Sequence, residues 1–94
     1  MIQFYWTYSA YIQQYQDAIA CFDQAIALQP DYADAWASKG VSLYELRELD
    51  KAIECCNKAI EIEPERATLY RNRGLAWEQK GNLQNALTDA GRAV

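Results

Sequence analysis

Histidine is absent from this sequence of 94 residues, and with it the commonest general base of enzyme catalysis. Proline occurs twice and glycine four times, too few punctuating residues for a chain rich in strands and turns, so helices are expected. No stretch approaches the roughly 20 consecutive apolar residues that a bilayer-spanning helix needs. Basic residues are outnumbered: nine Lys and Arg against thirteen Asp and Glu leave a net charge of −4. Such a chain offers no electrostatic footprint for nucleic acid and is repelled by anionic membranes, so neither is expected as a partner. The three cysteines, Cys21, Cys55 and Cys56, form no disulfide framework and have no metal-ligand spacing. No base stands beside any of them in sequence. These absences predict a protein that is not an enzyme and has neither a metal site nor a cofactor. The odd cysteine count suits a reducing, cytoplasmic compartment. The apolar start, Met1 to Tyr11, has no basic leader and no small-residue cleavage site, so it does not read as a secretion signal.

What is present is apolar and patterned. Hydrophobic residues make up 51% of the chain and charged ones 23%, which fits one small globular domain over residues 1–94. Charge is uneven. Residues 1–30 carry only Asp17 and Asp23, residues 31–65 are strongly acidic, and residues 66–94 are mildly basic. Carboxylates such as Glu61 and Glu63 read as a solvated helix face rather than a catalytic pair.

The sequence repeats with a period of 34 residues. Pro30 falls on Pro64, Trp36 on Tyr70, Gly40 on Gly74 and Cys21 on Cys55. Ala18 falls on Ala52 and Ala86, Ala25 on Ala59 and Ala93, Ile19 on Ile53 and Leu87, Tyr15 on Leu49 and Leu83. Inside each unit apolar residues recur at three- and four-residue steps, as in Ala52, Ile53, Cys56, Ala59 and Ile60, the signature of a helix. Each unit therefore reads as two helices and a short turn. Gly81 can take the left-handed stop and Asn82 can cap the next helix. Pro30 and Pro64 end the second helices, and Asp31 and Glu65 suit the positive start of the next. Gly40, Gly74, Ala52 and Ala86 mark a close helix crossing, with Trp36, Tyr70 and Trp77 filling the space between. Cys56 reads as core filler. The expectation is all-α, with six helices near 2–14, 16–29, 32–46, 50–62, 66–79 and 83–93.

At these positions the chain resembles the tetratricopeptide repeat family. Residues 33–66 carry the motif nearly whole in Trp36, Gly40, Tyr44, Ala52, Ala59 and Pro64. Residues 67–94 carry Tyr70, Gly74, Trp77, Ala86 and Ala93, a truncated unit. Residues 1–32 keep the second helix (Ala18, Phe22, Ala25, Pro30), but the first is degenerate, with Trp6 where a small residue belongs. The resemblance implies a right-handed superhelix of about three helix-turn-helix units. It also implies a concave groove, lined by the first helices, that binds a peptide segment of a partner protein. The groove residues it implies are Ser38, Val41, Tyr44, Arg71, Asn72, Leu75 and Gln79, flanked by Asp34, Ala37, Glu45, Thr68 and Glu78. Some relatives clamp the C-terminal carboxylate of heat-shock chaperones. Asn72 matches one clamp residue, but Ala37 and Val41 stand where Lys and Asn are needed, so the clamp is incomplete. Arg71 beside Asn72 suits a carboxylate or a backbone carbonyl.

The alternative reading is self-assembly, alone or within a longer repeat protein. Met1 to Tyr15 holds more large apolar groups than one stripe of a surface helix can bury. Trp6 takes the place of Gly40 and Gly74, and Gln13 that of Gly81. Either the chain still turns near Gln13, or the first two helices run on as one and the aromatic end packs on a second copy. Val94 closes the last unit without a polar capping helix. A twofold homodimer is expected, with Phe4, Trp6, Tyr8 and Tyr11 at the contact.

Overall fold

The computed structural model describes residues 2–93, with side chains from Ser9 to Ala93. Five α-helices follow in order: α1 (Ile2–Leu28), α2 (Ala33–Glu45), α3 (Leu49–Ile62), α4 (Ala67–Lys80) and α5 (Leu83–Arg92). No strand occurs among the described residues, and none of their helices is long and apolar enough to cross a membrane. Each helix packs on the next in the chain, and α2 also meets α4. That is the stacking of helical hairpins into a superhelix.

Four of the six expected helices stand within one or two residues of their expected ends. The other two are one: α1 runs unbroken for 27 residues where a turn near Gln13 was the competing expectation. The two turns that do form show one difference. Arg47 has φ 66° and Gly81 has φ 86°, and they occupy the same place in the repeat. At each, the hairpin closes with the same pair of backbone bonds. Arg47 N–H and Glu48 N–H donate to the carbonyls of Tyr44 and Leu43, each at 2.9 Å. Gly81 N–H and Asn82 N–H donate to those of Glu78 and Trp77, again at 2.9 Å. This is the Schellman stop, built around one left-handed residue. The corresponding Gln13 stays helical, and its side-chain amide donates to Asp17 Oδ1 one turn on at 2.9 Å. Asn82 caps α5 as expected, its side chain accepting from Asn85 N–H at 3.1 Å.

The core follows the repeated small residues. Ala37, Ala59 and Leu69 pack together with Trp36 and Ile60 against them. Leu43, Ala52 and Cys55 form a second cluster, flanked by Ile19, Trp36 and Tyr44. Gly40 lies where α2 and α3 cross, and a Cβ there would stand 3.3 Å from the Ala52 carbonyl oxygen and 3.4 Å from Cys55 Cβ. Gly74 holds the same place between α4 and α5, 3.3 Å from Asp89 Cβ.

The prolines do more than end helices. Trp36 Nε1–H donates to the Pro30 carbonyl at 2.8 Å, and Tyr70 O–H donates to that of Pro64 at 2.7 Å. The polar tip of each large aromatic thus fastens its helix to the loop before it. A basic residue then covers each ring: Lys39 lies 5.8 Å from the centre of Trp36, Arg73 5.4 Å from that of Tyr70.

Candidate functional site: the face formed by α2 and α4

Where α2 meets α4, their side chains enclose a notch of about 110 Å³. Val41 and Tyr44 come from α2, Asn72 and Leu75 from α4, and Gly40, Ala52 and Cys56 form its floor. Helical spacing explains the set: Val41 and Tyr44 are three residues apart, as are Asn72 and Leu75, so each pair shares one helix face. Val41 and Leu75 are exposed at 42% and 40%. The guanidinium of Arg47 lies 5.9 Å from the Tyr44 ring centre, at the rim. With aliphatic walls, one aromatic ring, one primary amide and the Glu45 carboxylate in its lining, the notch can seat a single apolar side chain and hydrogen-bond the backbone beside it.

Of the seven groove positions expected from sequence, Val41, Tyr44, Asn72 and Leu75 come together here. Arg71 does not join them; with Leu75 it lines a different cavity, between α4 and α5. Gln79 accepts from Arg47 Nη1 at 3.4 Å, bridging α4 to the α2–α3 turn. Ser38 is half-buried on α2, outside the notch lining. Among the flanking positions, Asp34 is ion-paired with Arg66, and Ala37 is buried in the core. Of the self-association residues, Tyr11 is 55% exposed. It lines a recess with Ile12, Tyr15 and the α2–α3 turn. The side chains of Phe4, Trp6 and Tyr8 lie outside the described residues.

The strongest polar feature was not foreseen. Arg73 grips Asp89 with two bonds, Nε to Oδ2 at 2.8 Å and Nη2 to Oδ1 at 2.7 Å, while Nη1 donates to Asn57 Oδ1 at 2.8 Å. One side chain thus ties α3, α4 and α5. The hydrogen bond to Asp89, against a smaller opposing effect of burial, raises the Arg73 pKa. One unit earlier Lys39 takes the place of Arg73 and pairs with Asp23 at 2.6 Å, in register with Asn57. Reading the repeat for polar as well as apolar matches would have revealed this second periodic contact.

The thiols divide by burial. Burial pushes the Cys56 thiol up to about 12, and raises that of Cys55, so neither ionises at neutral pH. Cys21 is exposed. In native protein at pH 8 an aromatic disulfide reagent should therefore modify one of the three thiols per chain rapidly, and the other two only after unfolding. Fast reaction of two or more would show that the α2–α3 core opens readily.

Comparison with known proteins agrees with this geometry. A family model described as tetratricopeptide repeat matches residues 10–65 and, overlapping, residues 58–94. The chain belongs to the tetratricopeptide repeat family. Among solved structures, two crystal structures of MamA are each 39% identical and superpose with a TM-score of 0.82. Each match covers 87% of this chain, and 48% and 45% of those chains. A MamA of AMB-1 is 25% identical with a TM-score of 0.81, over 88% of this chain and 50% of its own. This chain therefore spans about half the length of the MamA structures it matches. No curated protein matches it.

Proposed function

We propose that the α2–α4 face is a docking groove for a short segment of a partner protein. An aliphatic side chain of the segment enters the notch between Val41, Tyr44 and Leu75. Asn72 hydrogen-bonds its backbone. The observation that carries this reading is the notch itself: an amide set among exposed aliphatic walls at the contact of two first helices, the place that tetratricopeptide repeats offer to peptides. The chain acts as a scaffold without chemistry of its own, in a reducing, cytoplasmic setting that suits two core thiols.

Peptides selected from a random library against the pure chain provide the probe, with affinity measured by calorimetry. Asn72→Ala and Tyr44→Ala should each weaken a selected peptide about five- to tenfold, the order expected for losing one hydrogen bond or one ring contact. A peptide that carries an aliphatic anchor and binds both variants as tightly as the parent chain would place the groove elsewhere.

A second reading is favoured by a separate observation. The first half of α1 has the repeat register of a first helix, yet it runs straight on into the second half without a turn. A helix that carries Ile2, Phe4, Tyr5, Trp6, Tyr8 and Tyr11 in its first eleven residues supports self-assembly, as a homodimer or as part of a longer repeat protein.

A further inference from the structure

The notch on the α2–α4 face does not end at α2. Glu45 lines the notch and also a second cavity, a recess of about 260 Å³ between α1 and the α2–α3 turn. Tyr11, Ile12 and Tyr15 form its α1 side, and Glu45, Arg47 and Glu48 stand opposite. The unbroken course of α1 makes this side. Tyr11 and Tyr15 lie one helical turn apart with Ile12 beside them, so the three share a face. In the next two units the same stretch of the repeat is interrupted by the left-handed residues Arg47 and Gly81, which would split such a row. A continuous path therefore leads from Asn72 and Leu75 on α4, past Tyr44 and Glu45 on α2, to the two tyrosines on α1.

The recess differs from the notch in its chemistry. Two of its walls are tyrosine rings, and two carboxylates face one guanidinium. That guanidinium is engaged elsewhere: it donates to Gln79 on α4 at 3.4 Å and lies 5.9 Å from the Tyr44 ring centre. Glu48 meets Lys51 at 3.2 Å, and Glu45 forms no ion pair among the described residues. Tyr11 and Glu45 are both exposed, so a ligand can reach them. A tyrosine ring attracts a cation over its face, and a carboxylate accepts a charge-assisted hydrogen bond from it. A cavity that offers both suits a lysine or arginine side chain, whose carbon stem can lie along Ile12.

We propose that the partner segment carries a basic side chain close to its aliphatic anchor, and that the α1 recess receives it. The proposal rests on the docking reading of the α2–α4 face and names the second element of its specificity. Peptides selected from the random library are again the probe. Those that lose affinity with Asn72→Ala should carry Lys or Arg at a fixed offset from the aliphatic anchor. Replacing that basic residue by Gln in the peptide should weaken binding to the parent chain about tenfold. Against Glu45→Gln the same peptide change should matter by no more than about threefold, because the carboxylate it met is gone. Tyr11→Ala, in the recess and outside the notch, should weaken the basic peptide about three- to fivefold and leave the Gln peptide unaffected. Raising the salt from about 0.1 M to 1 M should weaken the basic peptide more on the parent chain than on Glu45→Gln. Tyr11 and Glu45 are exposed, so neither change should alter the helical circular dichroism; should Glu45→Gln do so, the Tyr11→Ala measurement decides alone. Peptides that need Asn72 and Tyr44 but carry an acidic, an apolar or no fixed residue at the offset would overturn the recess proposal and leave the groove standing. Equal losses on the parent chain and on Glu45→Gln would do the same. Peptides indifferent to both Asn72 and Tyr44 would overturn the groove and the recess together.

Discussion

Arg73→Met should cost about 3 kcal/mol of stability, and more than Asp89→Ala, because the two partners differ in burial. The Asp89 side chain is 4% exposed and that of Arg73 22%. Removing the guanidinium leaves a carboxylate that water cannot reach. Removing the carboxylate leaves a cation that can turn toward solvent, at about 2 kcal/mol. Asn57 also loses its partner in the first case, and the α3–α4 contact loosens with the α4–α5 contact. For a chain of this size the arginine change should lower the melting temperature by roughly 12–24 °C. Replacing both residues should cost clearly less than the sum of the single changes, since no charge is then left buried without a partner. Chemical denaturation of the four proteins measures all of this. Simple additivity would show that Arg73 and Asp89 do not act as a pair.

The reason this pair escaped a reading of the sequence is instructive about repeats. Apolar matches at the period of 34 residues are dense enough to place α2 to α5 and their turns. Arg73 and Asp89 break that repeat: one unit earlier the same positions hold Lys39 and Cys55. Lys39 finds its acid on the preceding unit, at Asp23, whereas Arg73 finds an amide there, at Asn57, and takes its acid from its own hairpin. The ion pair is therefore a local choice that periodicity cannot carry. The groove was legible in part for a similar reason. Position within a repeat tells which residues share the face of a first helix, and it brought Val41, Tyr44, Asn72 and Leu75 together. It does not tell which neighbour a long side chain will reach. So Arg71 turns to the α4–α5 cavity and Gln79 meets Arg47.

The continuity of α1 leads to the other large expected effect. The place held by Gly40 and Gly74 in the units that close is held by Trp6 in the one that does not. Gly40→Ala places a Cβ 3.3 Å from a backbone carbonyl oxygen, which cannot retreat without moving α3. The expected cost is about 1–2 kcal/mol. Gly40→Trp puts a bicyclic ring into a crossing where even a methyl group is tight. Hairpin α2–α3 then cannot close, and the clusters around Ala52 and Ala59 lose their other half. That loss, above about 4 kcal/mol, is comparable with the whole stability of a small domain. Urea denaturation followed by helical circular dichroism should show a shifted but cooperative transition for the alanine variant and no folded baseline for the tryptophan variant. The turn alone is a weaker constraint, because Arg47 already holds a left-handed conformation that disfavours side chains by about 1–2 kcal/mol. A hairpin that tolerates this strain at its turn still requires a small residue at its crossing. On that ground the small residue missing from the sequence at position 6 counts for more than the left-handed residue missing at position 13. A tryptophan variant at position 40 with a transition midpoint close to that of the alanine variant would refute this account.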